Sequence, residues 1–466
     1  MRIVYCLIFF LLSLNNQAQD VRKKIQAAAE RFEKDSQMRH AIYSLYVIDG
    51  KTSQIVFDKN SEIGLAPASC QKLFTSGAAF ELLGKDYRYR TRLAYEGKIA
   101  NGSLDGNLYV IGSGDPTLGS WRWKETRDTV ILKKWYAAVR NLGIQNITGV
   151  VSTNESKFSH QGIPGGWIWE DIGNYYGAGA FALNWKENQF DLELKSGSRV
   201  GDSVYIAENF RDSYVNELRA ASQGTGDNAF IYLSTESDRS KLLKGTIPIN
   251  EKKFIISGAV ENPPMSLLID FSFYLSGSGI NSSPIEGRNR DQFLRDSSEL
   301  KSLTYFDAHY SPTFDSMNYW FLRRSINLYG EAFIKTIALE KSGFASTEKG
   351  VELVQDFWEQ RGIDKAAINI LDGSGLSPQN RVTTNALVKV LQYAKTRPWY
   401  SSFYLSLPTY NGIKMKSGSI GGARSFAGYH KSKDGHEYVF AIIVNNYDGS
   451  SGAIVKKMYQ LLDVLK

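Results

Sequence analysis

Apolar positions along this chain follow two rhythms. In "DVRKKIQAAAERFEKDSQ", Val21, Ile25, Ala28 and Phe32 recur at helical spacing. The next two runs, "AIYSLYVID" and "SQIVFDKN", are joined by "GKT" and read as a two-stranded hairpin. Near the other end, "GIKMKSGSI", "RSFAGYHK" and "EYVFAIIVNN" read as a three-stranded meander, with "SKDGH" turning between its last two strands. The chain closes on a helix that puts Ile454, Val455, Met458, Leu461, Leu462 and Leu465 on one face.

A hairpin near one end and a meander near the other, each beside a helix, predict one five-stranded antiparallel sheet flanked by helices, an α+β fold. The terminal segments, residues 20–86 and 300–466, then form one discontinuous domain, and residues 87–299 are inserted into it. In the insertion, short strand-like runs such as "GSLDGNLYVIGSG", "QFDLELKSG" and "KKFIISGAV" alternate with Gly, Asn, Asp and Ser turns. That texture predicts a β-rich region of two subdomains. Helical patterns return at "MNYWFLRRSINLYGEAFIKTIALE" and "STEKGVELVQDFWEQRG".

Residues 1–19 stand apart. Arg2 precedes an apolar run from Ile3 to Leu14, and "NNQAQD" offers a cleavage region, so a secretory signal peptide is expected. The mature chain is then exported. No later stretch approaches the roughly 18 apolar residues of a spanning helix, so no stable membrane insertion is expected. With Cys6 removed, only Cys70 remains. An intrachain disulfide is impossible, and Cys70 reads as a small packed side chain. The net charge of +7 comes from Lys and Arg dispersed among Asp and Glu. Without a basic block, no nucleic-acid partner is expected, and an anionic cell-wall polymer is the better counterpart for an exported cation.

Several kinds of catalytic site are missing. There is no G-x-S-x-G elbow, H-E-x-x-H helix or Walker-type loop, and the five histidines show no convincing metal-ligand spacing. His430 and His436 face each other only across a hairpin turn. No metal or other cofactor is expected. What remains is "PASCQKLFTSGAAFELLG", where Ser69 and Lys72 share one face of a helix start. A hydroxyl becomes a nucleophile when a base takes its proton. A lysine can be that base if its pKa of about 10.4 falls by roughly three units, a cost of about 4 kcal/mol. A second cation nearby would help, as would an apolar wall such as Leu73 and Phe74 could supply. The pattern alone leaves a solvated helix start equally open, because S-x-x-K also occurs at Ser298 and Ser346. Only Ser69 opens a stretch that turns apolar at once.

Two further motifs follow in order. "SIN" spans Ser325 to Asn327 and "KSG" spans Lys416 to Gly418. Look-alikes exist for both, at Ser13, Ser152 and Ser316 and at Lys195 and Lys341. Only Ser325 runs on into a helical pattern, and only Lys416 begins a strand of the C-terminal meander. Penicillin-recognising serine enzymes combine S-x-x-K, S-x-N and K-[ST]-G in this order. Longer segments narrow the likeness. "GSGDPTL", "GWIWEDIGNYYGAGAFALNWKENQF", "DGSGLSPQNRVT" and "KSGSIGGARSFAGY" resemble segments of the low-molecular-weight penicillin-binding proteins of the D-alanyl-D-alanine carboxypeptidase/endopeptidase type, which carry a large insertion.

That resemblance implies a β-lactamase/transpeptidase-like catalytic domain and a serine peptidase acting on peptidoglycan stem peptides, acylated by β-lactam antibiotics. It implies Ser69 as nucleophile and Lys72 as its base. Ser325 would share in proton transfer, Asn327 would hold a substrate amide, and Lys416 would supply positive potential. Ser417 and Ser419, flanking Gly418, would receive the substrate carboxylate, and backbone N–H groups of Ser69 and Ser419 would form the oxyanion hole. Asp171 is a candidate for binding a side-chain amine of the stem peptide, while Trp167 and Trp169 read as packing. Ser417 replaces the more usual Thr, and Pro378 stands where many members carry Arg. A β-lactamase of the same clan and a non-catalytic peptidoglycan-binding protein are the competing readings.

Overall fold

The computed structural model describes residues 21–207, 214–224, 226, 228–234, 240–282 and 303–466. The expected signal peptide at residues 1–19 and the look-alike Ser298 lie outside the described residues. The chain folds as two compact units.

The first unit comprises the described residues up to Lys85 together with Asp315–Ile326 and Val351–Lys466. Its centre is an antiparallel sheet in the order Thr409–Tyr410, Ile413–Ile420, Ala423–Lys431, Glu437–Asn445, Ile42–Asp49 and Ile55–Lys59. The hairpin and the meander supply the five long strands, and the two-residue Thr409–Tyr410 strand adds a sixth at the edge. The two ends of the chain meet where Ile42–Asp49 pairs with Glu437–Asn445, from Ile42↔Asn445 to Asp49↔Tyr438. Both strands are buried along consecutive residues, as strands covered on both faces must be. On one face the terminal helices, over 21–33 and at Ser451–Leu462, bury Ile25, Phe32, Ile454 and Met458 against Leu45, Val47, Phe440 and Ile442. The other face carries helices Lys72–Leu82 and Thr384–Lys395. There Thr384 shares a 2.5 Å hydrogen bond with Ser44, and the Tyr429 hydroxyl donates to the Leu391 carbonyl. Residues 72 to 80 of the first of these helices are all buried.

The second unit comprises Asp86–Phe314 and Asn327–Gly350. One sheet runs Asn281–Ser282, Asn146–Ile147, Ser103–Ile111, Arg90–Ala100 and Thr304–Tyr310, with Val151–Asn154 pairing alongside Ser103–Ile111. Two helices that the turn-rich sequence texture conceals, Asp128–Asn141 and Pro263–Gly277, cover it with Ile131, Trp135, Leu267 and Phe271. Two three-stranded sheets pack around Leu192, Leu218, Ile231 and Leu243 as a smaller β body. Among the described residues no helix is long and apolar enough to cross a membrane.

Candidate active site

The turn that carries Ser69 is strained and held from several sides. Ala68, ahead of Ser69, adopts φ +46°, a conformation that typically costs about 1–3 kcal/mol for a residue with a side chain. Residues Ala68–Gln71 form a 3₁₀ turn, and the α-helix begins at Lys72. Gly375 (φ +84°) leaves no room for a β-carbon against the Ala68 carbonyl. The Ser425 hydroxyl donates to the Pro67 carbonyl at 2.5 Å. Gly418 passes so near that a β-carbon there would stand 3.0 Å from the Ser69 amide nitrogen. Within this turn Ser69 alone keeps partial exposure, while Ala68, Cys70, Gln71 and Lys72 are buried.

Lys72 is 0 % exposed, and its Nζ lies 2.9 Å from Ser69 Oγ and 2.6 Å from the Ser374 carbonyl oxygen. The apolar wall over the amine is the Phe321 ring, whose centroid is 5.8 Å from Nζ. Phe74 instead packs edge-on against Trp358 in the core. The Ser374 carbonyl is presented by a loop that sequence reasoning left without a role. Asp372, fully buried, gathers it: Oδ1 accepts from the Gly375 amide, Gln71 Nε2 and Asn380 Nδ2, and Oδ2 from the Ser377 amide. Thr75 Oγ1 adds a hydrogen bond to the Gly373 carbonyl.

A second serine–lysine pair stands on the C-terminal meander. Lys416 is 1 % exposed, and its Nζ donates to Ser325 Oγ at 3.0 Å and to the Ser417 carbonyl at 2.7 Å. Burial pushes its pKa down to about 8. Ser325 itself adopts φ +57°. The two pairs are tied through Cys70, whose Sγ lies 3.2 Å from the Lys416 carbonyl. Burial pushes the Cys70 thiol up to about 11, outweighing the lowering influence of the nearby Lys416 and Lys72 amines, so no thiolate forms near neutral pH.

Along strand Ile413–Ile420, Lys416 and Gly418 are buried, Ser417 is half-buried and Ser419 is exposed. Thr409–Tyr410 pairs only with Lys414 and Ile413, so among the described residues no strand covers the outer edge of residues 416–420. An extended peptide can add to such an edge.

The remaining candidates belong to the second unit. Asn327, two residues after Ser325, opens helix Asn327–Ser342, and its Nδ2 donates to the Tyr176 carbonyl at 2.7 Å. Asp171 lies on the short helix Trp169–Ile172, half-buried. Burial raises its pKa to about 6, against the lowering effect of a hydrogen bond from Tyr176. Trp169 remains 45 % exposed, yet its ring packs on Tyr232 and its Nε1 donates to the Leu233 carbonyl. Among the described residues no three His, Cys, Asp or Glu side chains are grouped to hold a metal ion.

The chain is similar to known proteins over most of its length. The model of the D-Ala-D-Ala carboxypeptidase 3 (S13) family matches residues 24–410. A D-alanyl-D-alanine carboxypeptidase of Actinomadura sp. (strain R39) is 24 % identical over 465 residues, covering 94 % of this chain and 83 % of its own. The D-alanyl-D-alanine carboxypeptidase DacB of Haemophilus influenzae is 26 % identical over 426 residues, covering 87 % and 85 %. The crystal structure of penicillin binding protein 4 (dacB) from Haemophilus influenzae superposes with a TM-score of 0.76 at 22 % identity, over 96 % of this chain and 99 % of that one.

Proposed function

The chain belongs to the D-Ala-D-Ala carboxypeptidase 3 (S13) family, and from that premise we propose how its residues carry out the serine peptidase reaction. The protein is a serine-type D-Ala-D-Ala carboxypeptidase. Lys72 takes the Ser69 proton as Oγ attacks the carbonyl of the penultimate D-Ala. The new Oγ–C bond and the broken C–N bond give an acyl-enzyme and free D-Ala, whose amine receives the proton through Lys72 and Ser325. Water then cleaves the ester. Backbone N–H groups of Ser69 and Ser419 hold the oxyanion, each typically worth about 3 kcal/mol.

The observation that carries this assignment is the 2.9 Å approach of Ser69 Oγ to an amine with no exposure to water. Outside a buried site a lysine is charged at neutral pH and cannot act as a base. Lys416 adds positive potential beside the pair and disfavours a second ammonium at Lys72. Ser417 and Ser419 receive the terminal carboxylate of a peptide added along the open strand edge. Asn327 holds a substrate amide. Asp171 binds a side-chain amine of the stem peptide.

Residues 20–86 and 300–466 contain Ser69, Lys72, Ser325, Asn327 and Lys416, which supports reading them as the catalytic domain, with residues 87–299 inserted; the compact units depart from these bounds by grouping Asp86–Phe314 with Asn327–Gly350, which includes Asn327. The substrate is peptidoglycan, so the protein works outside the cytoplasm, in the periplasm. β-Lactams acylate Ser69, in keeping with the penicillin-binding relative. The same chemistry splits D-Ala cross-links when the leaving group is a neighbouring stem peptide, giving DD-endopeptidase activity. Incubation with purified muropeptides, followed by mass spectrometry, tests both activities: monomers should lose one D-Ala and dimers should split. Ser69→Ala should abolish both reactions together with labelling by fluorescent penicillin. Labelling that persisted in Ser69→Ala would overturn the nucleophile.

A further inference from the structure

Three lysines among the described residues are 1 % exposed or less: Lys72, Lys416 and Lys335. The first two belong to the serine–lysine pairs, and the mechanism leaves Lys335 unused. Lys335 lies in helix Asn327–Ser342, the helix that Asn327 opens. Its Nζ donates to the Gln161 carbonyl at 2.6 Å and to the Ala180 carbonyl at 2.8 Å. These oxygens stand at the two ends of one loop. The ends are pinched together, since the Ala180 amide donates to the Gly162 carbonyl at 3.0 Å. A β-carbon on Gly179 would stand 2.6 Å from that same carbonyl.

The loop so closed carries Asp171, Tyr176 and both tryptophans. Its tip rests on the small β body: Ile231 donates its amide to Asn174 Oδ1, the Ala259 amide donates to the Gly173 carbonyl, and Trp169 reaches Leu233. Asn327 holds its far limb through the Tyr176 carbonyl. An ammonium taken out of water is costly unless its hydrogen bonds are returned, and an apolar side chain of similar volume would often be cheaper. Charge–dipole bonds to two loop ends are what a methionine could not provide.

We propose that Lys335 is a positioning residue for substrate recognition: by clasping Gln161 and Ala180 it fixes the loop of residues 162–179 and so sets where Asp171 meets the stem-peptide side chain. This rests on the reading of Asp171 as the amine-binding carboxylate. The β body of the insertion then acts as the outer buttress of the same loop.

The test uses Lys335→Met in the full chain and two peptides ending in D-Ala-D-Ala. One has a free side-chain amine at its third residue, and in the other that amine is acetylated. The preference for the free amine, as a ratio of kcat/KM, should fall roughly ten- to hundredfold, mostly through KM, as displacement of a recognition group by about 1 Å produces. Hydrogen exchange at the Ala180 amide should quicken. Acylation by a penicillin lacking such an amine should change less than about threefold, because the nucleophile is untouched. If Lys335→Met does not fold, Gly179→Ala forces the loop base apart with the lysine in place and should reproduce the loss. Unchanged preference in Lys335→Met or its substitute, alongside lost preference in Asp171→Asn, overturns the role of Lys335 alone. Unchanged preference in Asp171→Asn overturns the amine reading and the proposal with it. An equal loss of penicillin acylation also overturns the proposal, since the lysine would then serve the whole fold.

Discussion

Gly418 and Ser69 are held so close that a β-carbon on the glycine would stand 3.0 Å from the Ser69 amide nitrogen and would also collide with the Pro67 carbonyl and the Ser425 hydroxyl. The strand and the Ser69 turn therefore share one fixed spacing, which also sets the distance between the Ser69 and Ser419 amides proposed as oxyanion donors. Gly418→Ala should push them apart, with an overpacking cost of about 1–3 kcal/mol. The penicillin acylation rate should fall roughly a hundredfold, as expected of a displacement near 1 Å. Stopped-flow acylation beside a thermal melt checks this; an unchanged rate would show that the spacing does not govern the chemistry.

The Lys416 amine sets a pH dependence of stability. Its folded pKa of about 8 lies below the ordinary lysine value, so between those values the unfolded chain binds the extra proton. Stability should rise as pH climbs above about 8 and be lost as pH falls through it, the full difference being on the order of 3 kcal/mol. Lys335, also lowered to about 8 by burial, acts in the same direction. Denaturant melts between pH 7 and 9.5 should show the rise, and Lys416→Met should flatten part of it. Over the same interval the ammonium beside Ser325 is lost, so acylation by penicillins should decline above pH 8 in wild type.

Cys70 is expected to be chemically silent. With its thiol pushed up to about 11 and no exposure, it should not react with a disulfide reagent at pH 8 until the protein unfolds. Cys70→Ser should keep D-Ala release within a few-fold of wild type, since a small buried group is replaced by a smaller one. Rapid labelling of the native protein, with loss of activity, would contradict the packing role.

The sheet could be read from the chain because its strands are either alternating or continuously apolar, and both rhythms survive in a single sequence. The hairpin at Ile42–Lys59 and the meander from Ile413 to Asn445 are of this kind. The serine–lysine spacing was equally visible, since residues three apart on a helix are neighbours whatever surrounds them. What encloses the amine was not. Phe321 and Ser374 reach Lys72 from segments distant in sequence, and no local pattern announces them. The strained backbone at Ala68 is likewise invisible, because alanine gives no sign of a positive φ that neighbouring elements impose. Helix Asp128–Asn141 shows how texture misleads: Ile131, Trp135 and Val139 recur at helical spacing inside a region dominated by turn residues.

Asp372 provides the sharpest separation between stability and chemistry. Its carboxylate gathers donors from Gln71, Gly375, Ser377 and Asn380 without any exposure, and the loop it organises hands the Ser374 carbonyl to Lys72. Asp372→Ala removes the acceptor and strands those buried donors, so a loss of roughly 3–5 kcal/mol is expected, since each unsatisfied donor costs about 1–3 kcal/mol and some find water. Asp372→Asn keeps the shape but replaces one oxygen by an NH₂ that cannot accept, leaving one amide facing a donor. It should cost about 1–3 kcal/mol. If the loop serves the amine, Asp372→Asn should also slow penicillin acylation at a pH and temperature where the protein stays folded. Normal acylation in a folded but less stable Asp372→Asn would restrict the loop to holding the fold.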